Sequence, residues 1–311
     1  MSDVKGYGVV YTPEYIADFL VYLLKQEMQK DNYVANSFLD PACGEGALLI
    51  SAVKEFGASN TYIGIDVEEH AIARLSGSKV AKFRLYCEDA ILPKSGKEAT
   101  SVFWKKQLPN LSVVLANPPW SSEKIYSKEQ LTNAGFEFHS GQYDSYGLFL
   151  ELAYRMLADG GYLAFIVPDS LFENQNTPLR KFLCEKTHIR VIARLGEKMF
   201  PNVNRAATVL VCKKSVPNEN CETTCFRLTS EQRKLVLAEK SELPAVYEAE
   251  KHCVRQLRFT RNDKYLFDID IRSEEENLIQ KLCAEQIEWR DTFKFGRGVE
   301  ISKKGTLVIC P

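Results

Sequence analysis

Residues 111–120 read LSVVLANPPW. Leu111, Val113, Val114, Leu115 and Ala116, broken only by Ser112, form the near-continuous apolar run of a buried strand. Pro118 and Pro119 offer no N–H to a β-ladder, so the chain must leave the sheet at Asn117. A carboxamide, a proline carbonyl and the Trp120 indole are thereby gathered on a stiff loop at a strand's carboxyl end, where open α/β sheets bind ligands. Asn-Pro also starts ordinary turns, so this segment alone allows a plain strand ending. The sequence upstream argues for more.

Ser37 to Asp40 reads as a short strand entering DPACGEG, residues 40–46, with a helix from about Ala47 to Phe56. Gly44 and Gly46 permit a tight turn and a close backbone approach at a helix N-terminus, whereas Asp40 and Glu45 would repel a phosphate. A cationic, hydroxyl-rich ligand suits this loop, such as an amino acid's ammonium group joined to a nucleoside. Thr61 to Ile65 is the next strand, and Asp66 stands at its end, where βαβ units grip a ribose diol or cap the next helix. Lys82 to Cys87 gives a third strand ending in Glu88-Asp89-Ala90, a place suited to an exocyclic amino group. Nearer the N-terminus, Thr12 and Pro13 open a helix reaching about residue 30, with Ile16, Phe19, Leu20 and Leu23 on one face. The Tyr11-Thr12-Pro13 corner either caps this helix only or also presents a hydroxyl and amides to a ligand.

The chain has 311 residues, 45% of them hydrophobic, enough for one large or two ordinary domains with a real core. Its formal charge of -1 means that a nucleic-acid partner must be held by a local patch. Nine cysteines without a charged-then-apolar leader point to reduced thiols and a cytoplasmic setting. No apolar run approaches the ~18 residues of a membrane span. Cys221 and Cys225 lack a second pair at zinc-site spacing and the four histidines are scattered, so no metal is assigned.

Downstream, residues 121–145 read as a long polar loop over the site. A helix from Gly147 to Leu157, a break at Gly160-Gly161 and a strand from Tyr162 to Val167 follow. Tyr146 and Phe149 could help wall the pocket, with core packing the favoured reading. Thr177-Pro178 starts a further helix, and strands at 189–195 and 206–212 flank MFPNVNRA, residues 199–206, a loop expected to expose Phe200. Residues 180–214 carry nine Lys or Arg against two acids, a local excess of 9 minus 2, or +7. Such a run is either a solvated surface or a phosphate-binding patch. From about Ser215 the pattern weakens, with a short strand near 225, a helix near 231–240 and an amphipathic stretch from Glu274 to Ala284.

Taken in order, DPACGEG at 40–46, GID at 64–66, ED at 88–89 and NPPW at 117–120 resemble the motifs of S-adenosylmethionine-dependent DNA adenine-N6 methyltransferases of the gamma class, found in bacterial restriction-modification systems. The resemblance covers residues 6 to about 212. It implies an α/β fold, a Rossmann-like doubly wound sheet, mostly parallel with an antiparallel strand near its end, plus a short C-terminal extension. It places the methyltransferase domain at 1–245 and a linker with the start of a target-recognition region at 246–311. FKFGRGVEISKKG resembles the opening of that region, yet the sequence stops at Pro311, so the chain reads as the catalytic part of a longer enzyme.

By the same resemblance Asn117, Pro118 and Trp120 are catalytic, with Trp120 and Phe200 stacking on a flipped-out adenine. Thr12 and Pro13 would meet the methionine end of S-adenosylmethionine, Asp40, Ala42 and Gly44 its amino-acid part, Asp66 the ribose, and Asp89 with Ala90 the adenine. Arg205, Arg297, Lys303 and Lys304 are candidate contacts to double-stranded DNA. A downstream recognition domain or restriction endonuclease would be the partner. Rival readings are a protein-glutamine or RNA N-methyltransferase, or a non-catalytic cofactor-binding subunit.

Overall fold

Helix and strand alternate from the first described turn. The computed structural model describes residues 11–94, 98–120, 126–139, 144–201, 204–276 and 278. Helix α1, Glu14–Lys30, starts after Pro13 and buries Ile16, Phe19, Leu20 and Leu23, the stripe its 3.6-residue period predicts. Then come β1 (Ser37–Asp40), α2 (Ala47–Phe56), β2 (Thr61–Asp66), α3 (Glu69–Ser76), β3 (Phe83–Cys87), α4 (Thr100–Gln107) and β4 (Leu111–Ala116). The sequence gives little warning of α4, whose amphipathic pattern is weak. It is held by Trp104, buried, whose indole N–H donates to the Ala90 carbonyl at 2.8 Å.

Within the segment expected to be a loop, α5 (Lys128–Asn133) is a short helix closed by a capping box between Ser127 and Gln130. Helix α6 (Ser145–Met156) leads without a gap into β5 (Leu157–Pro168). The remainder is α7 (Thr177–Lys186), β6 (His188–Gly196), β7 (Ala207–Lys213), β8 (Glu222–Arg227), α8 (Ser230–Ala238), α9 (Leu243–Glu250), β9 (His252–Arg255) and α10 (Leu257–Arg261).

Among the described residues the nine strands form one sheet in the order β3-β2-β1-β4-β5-β7-β6-β8-β9. Pairing is parallel from β3 to β5, and β7 lies antiparallel between β5 and β6. This is a Rossmann-like doubly wound α/β sheet with antiparallel strands toward one side. Strand β4 is buried along its whole length and alternates between the two cores. Val113 and Leu115 pack with α1 and α2 residues on one face, Val114 and Ala116 with Trp104 and the α6 residues on the other. A strand covered on both faces needs few polar positions, which explains its near-continuous apolar run. Each buried Val or Leu contributes roughly 1.5–3 kcal/mol.

The compact unit extends to Asp270, past the boundary expected at 245, because β9 joins the sheet by antiparallel pairing with β8. Arg180 anchors the same end. It is fully buried and donates to the carbonyls of Leu171 and Glu173, both at 2.6 Å, and of Lys264 and Tyr265, at 3.0 and 3.1 Å. A second unit runs from Ile271, and nearly all of it, including most of the 274–284 stretch, lies outside the described residues. No helix among the described residues is long and apolar enough to cross a membrane.

Candidate functional site

The carboxyl ends of β1, β2, β3 and β4 open on a cavity of about 570 Å³, within the usual range for a small-molecule site. Its glycine loop is built first. After Asp40 the chain turns through residues 41–46, with the Cys43 N–H donating to the Ile65 carbonyl at 3.0 Å and the Gly46 N–H to the Cys43 carbonyl at 2.8 Å. Gly44 lies on the cavity wall. Gly46 does not, and its role differs from the close ligand approach read from sequence. It holds φ +86° at the start of α2, and a Cβ there would come within 2.4 Å of Leu75 Cδ1. Gly46 is therefore fixed by backbone conformation and by packing against α3.

Asp40 is 2% exposed and accepts the Ala42 N–H at 3.0 Å. Burial, reinforced by the nearby charge of Asp66, pushes its carboxyl up to about 8. Asp66 accepts backbone N–H groups with both oxygens, from Gly44 at 2.7 Å and from Glu68 at 2.9 Å. Asp89 accepts from Ile91 N–H at 2.8 Å and Leu92 N–H at 3.1 Å, and from the Tyr126 hydroxyl at 2.9 Å. The Tyr126 contact has no short-range sequence signal, since the two residues are 37 apart.

Asn117 closes the wall at the end of β4, where its carboxamide Nδ2 donates to the Thr12 hydroxyl at 3.0 Å. Ala42 and Ala90 line the same cavity, while Pro13 faces a neighbouring cleft beside Met199. Pro118, Trp120 and Phe200 lie off the cavity wall. Phe200, expected on an exposed loop, is only 2% exposed and sets its ring edge-on to Trp120, centroids 5.3 Å apart. The loop is drawn in by Tyr15, whose hydroxyl donates to the Met199 carbonyl at 2.6 Å. The Trp120 indole N–H is buried with no acceptor among the described residues. Arg205 donates to the Trp120 carbonyl, so this candidate DNA contact also braces the NPPW loop.

The basic run at 180–214 does not form one patch. Arg180 is buried, Arg190 pairs with Glu27 at 2.8 Å, Arg194 with Asp169 at 2.5 Å, Lys213 with Asp31 at 2.7 Å and Lys214 with Asp159 at 3.2 Å. The acids that neutralise it come from distant segments, which a local charge count omits. Arg297, Lys303 and Lys304 lie outside the described residues.

The lining carries eight acids, among them Asp40, Glu45, Asp66 and Asp89, against a single lysine, Lys54. Such a cavity disfavours phosphates and favours a cation bearing hydroxyl and amino donors.

The chain is 28% identical over 220 residues to the type II methyltransferase M.VspI of Vibrio sp. (strain 343), covering 70% of this chain and 50% of that protein. It is 27% identical over 220 residues to the type II methyltransferase M.TthHB8I of Thermus thermophilus, covering 68% and 46%. The chain thus spans about half the length of these curated relatives. Among solved structures, the methyltransferase subunit of a type I restriction-modification system from Streptococcus thermophilus superposes with a TM-score of 0.61 at 19% identity, covering 84% of this chain and 58% of that one. A class I S-adenosylmethionine-dependent methyltransferase fold from Listeria monocytogenes superposes with a TM-score of 0.57 at 23% identity, covering 76% and 71%. The family model described as N-6 DNA Methylase matches residues 2–251, and the chain belongs to the N-6 DNA methylase family.

Proposed function

We propose that this chain transfers a methyl group from S-adenosylmethionine to the N6 amino group of an adenine flipped out of double-stranded DNA, as part of a restriction-modification system. The observation that carries the reading is the meeting of Asn117 with Asp40 and Asp66 on one strongly acidic cavity. A sulfonium-ammonium cofactor fits that donor set. Asp40, Ala42 and Gly44 would hold its amino-acid part, Thr12 its methionine end, Asp66 its ribose, and Asp89 with Ala90 its adenine, whereas Pro13, turned to the neighbouring cleft, would only shape the corner. Bound there, it supplies an already activated methyl group.

The chain's own residues then have two tasks. An adenine amino nitrogen is a poor nucleophile because its lone pair is delocalised into the ring. The Asn117 carboxamide oxygen and the Pro118 carbonyl accept its two hydrogens and localise that pair, an electrostatic and positional form of catalysis. Trp120 and Phe200, buried edge-on against each other, would have to part to stack on the base, whose extrusion from the duplex costs a few kcal/mol. Arg205 steadies the loop at the DNA-facing rim. The segment after Asp270 opens a target-recognition region, with Arg297, Lys303 and Lys304 contacting DNA, and a recognition module or endonuclease completes the assembly in the cytoplasm.

The test is transfer of labelled methyl groups to unmethylated DNA, with N6-methyladenine as the product. Asn117→Ala is expected to abolish transfer while leaving cofactor affinity within about twofold of the parent. Transfer at the parental rate by that variant would refute the reading.

A further inference from the structure

The cavity wall holds an interaction that the cofactor role of Thr12 does not explain. The Thr12 hydroxyl lies just before α1, and the Asn117 Nδ2 group, 105 positions along the chain, donates to it at 3.0 Å. Both residues line the cavity, and both are partly buried. A carboxamide has two faces of opposite character: an NH2 that only donates and an oxygen that only accepts. Turning it by half a revolution about its terminal torsion exchanges the two at little intrinsic cost.

That exchange matters for the proposed reaction. A substrate amino group offers hydrogens, so it needs the carboxamide oxygen. In the reversed orientation it would meet another donor.

We infer that Thr12 is a positioning residue for Asn117: by accepting an N–H from Nδ2, its hydroxyl selects the orientation in which the carboxamide oxygen is available to the substrate amino group. The inference rests on the methyltransferase reading above. Thr12 immediately precedes the helix start, whose N-cap is Pro13. Pro13 fixes its φ by its ring, and the Pro13 carbonyl accepts from Ile16 and Ala17, each at 3.0 Å, so the corner is stiff. The acceptor thus stands on a rigid element, as a positioning group must. It also joins the N-terminal helix to the reacting loop, two segments that the fold brings together at the β4 end of the sheet.

Thr12→Val removes the acceptor while preserving shape, and Thr12→Ser preserves the acceptor. In the full 311-residue chain, two readouts are compared. The first is the Asn117 side-chain NH2 resonance of the ligand-free protein, identified by its loss in Asn117→Ala. It should be protected from exchange in the parent and in Thr12→Ser, and unprotected in Thr12→Val. The second is single-turnover methyl transfer to unmethylated DNA. Thr12→Val should slow it by about tenfold or more, with S-adenosylmethionine affinity changed less than about threefold, and Thr12→Ser should restore the rate. A rate loss matched by an equal loss of cofactor affinity would make Thr12 a cofactor contact only and overturn the inference. So would unaltered protection in Thr12→Val, or lost protection with an unchanged rate. If the parent transfers no methyl group to any DNA, the methyltransferase reading itself fails, and the positioning role falls with it even if the resonance shows the hydrogen bond.

Discussion

Asp66 accepts the Gly44 N–H at 2.7 Å with one carboxylate oxygen and the Glu68 N–H at 2.9 Å with the other. One side chain at the end of β2 therefore fixes both the glycine loop after β1 and the approach to α3. A ligand hydroxyl gripped here would meet a carboxylate already oriented by the backbone, which reduces the ordering that binding must supply.

Asp66→Ala should accordingly weaken S-adenosylmethionine binding and lower stability by about 1 kcal/mol or more, since two backbone donors lose their acceptor. Asp66→Asn retains one acceptor and should fall between. Calorimetric titration and urea unfolding measure the two effects separately. Parental affinity in Asp66→Ala would remove this residue from the cofactor site.

Asp40 predicts a pH dependence. Burial raises its carboxyl from an ordinary value of 3.8 to about 8. Between these values the folded chain holds a proton that the unfolded chain releases, so this group's contribution to stability is fully present below 3.8 and lost as pH rises through about 8. Asp40→Asn should remove that decline. A cationic ligand prefers the ionised form, so S-adenosylmethionine affinity should rise with pH toward 8 in the parent and stay flat in the variant. Titrations in two buffers of different ionisation enthalpy should reveal proton release on binding. Its absence would mean that Asp40 remains neutral in the complex.

The Glu27–Arg190 pair joins α1 to β6 with both side chains largely shielded, Glu27 being 3% exposed and Arg190 12%. Glu27→Ala leaves Arg190 with Asp31, at 3.2 Å, as its remaining acidic partner, so the loss of the closer pair should destabilise the fold by ~1.5–3 kcal/mol. Removal of both partners together should cost less than the sum of the single changes. If Arg190 instead faced DNA, Glu27→Ala would leave stability nearly intact and alter the salt dependence of DNA binding.

Phe200 has a double burden. Its ring is packed edge-on to Trp120 inside the core, so Phe200→Ala should cost ~3–5 kcal/mol before any substrate is added. Phe200→Leu keeps more of the volume and is the better probe of base stacking. With 2-aminopurine at the target position, the variant should bind S-adenosylmethionine as the parent does but give a smaller fluorescence rise on mixing with DNA. An unchanged rise would exclude Phe200 from base capture.

The acidic cavity at the ends of β1 to β4 was legible because its signals are local. Pro118 and Pro119 end β4 by their own covalent chemistry, and Asp40 and Asp66 close β1 and β2 while Asp89 follows β3 in one βαβ series. What escaped depends on residues far apart in sequence. Arg190 reads as a free cation until Glu27, 163 positions away, is brought beside it. Phe200 reads as exposed until Tyr15 draws in its loop from 184 positions away. The position of β7 between β5 and β6, and the addition of β9 at the sheet edge, likewise depend on which strand edges are vacant rather than on their own composition.

Gly46 separates the two functions that a glycine loop combines. Any side chain there faces two independent costs. The first is φ +86°, which L-residues rarely adopt and which costs about 1 kcal/mol for a non-glycine residue. The second is steric, since a Cβ would sit 2.4 and 2.8 Å from the two methyl carbons of Leu75, a buried residue of α3. Gly46→Ala should therefore destabilise the chain by more than the backbone cost alone. Leu75→Ala introduced alone should cost ~2–5 kcal/mol through the cavity it leaves. Combined with Gly46→Ala, it clears the space the new methyl needs, so the double variant should be more stable than the sum of the two single changes predicts. The residual deficit measures the backbone term. Urea unfolding of the four proteins gives this coupling, and strictly additive effects would mean that α3 does not press on the glycine loop. Because Gly44 rather than Gly46 reaches the cavity, the double variant should also recover S-adenosylmethionine affinity relative to Gly46→Ala, with recovery tracking the restored position of the loop.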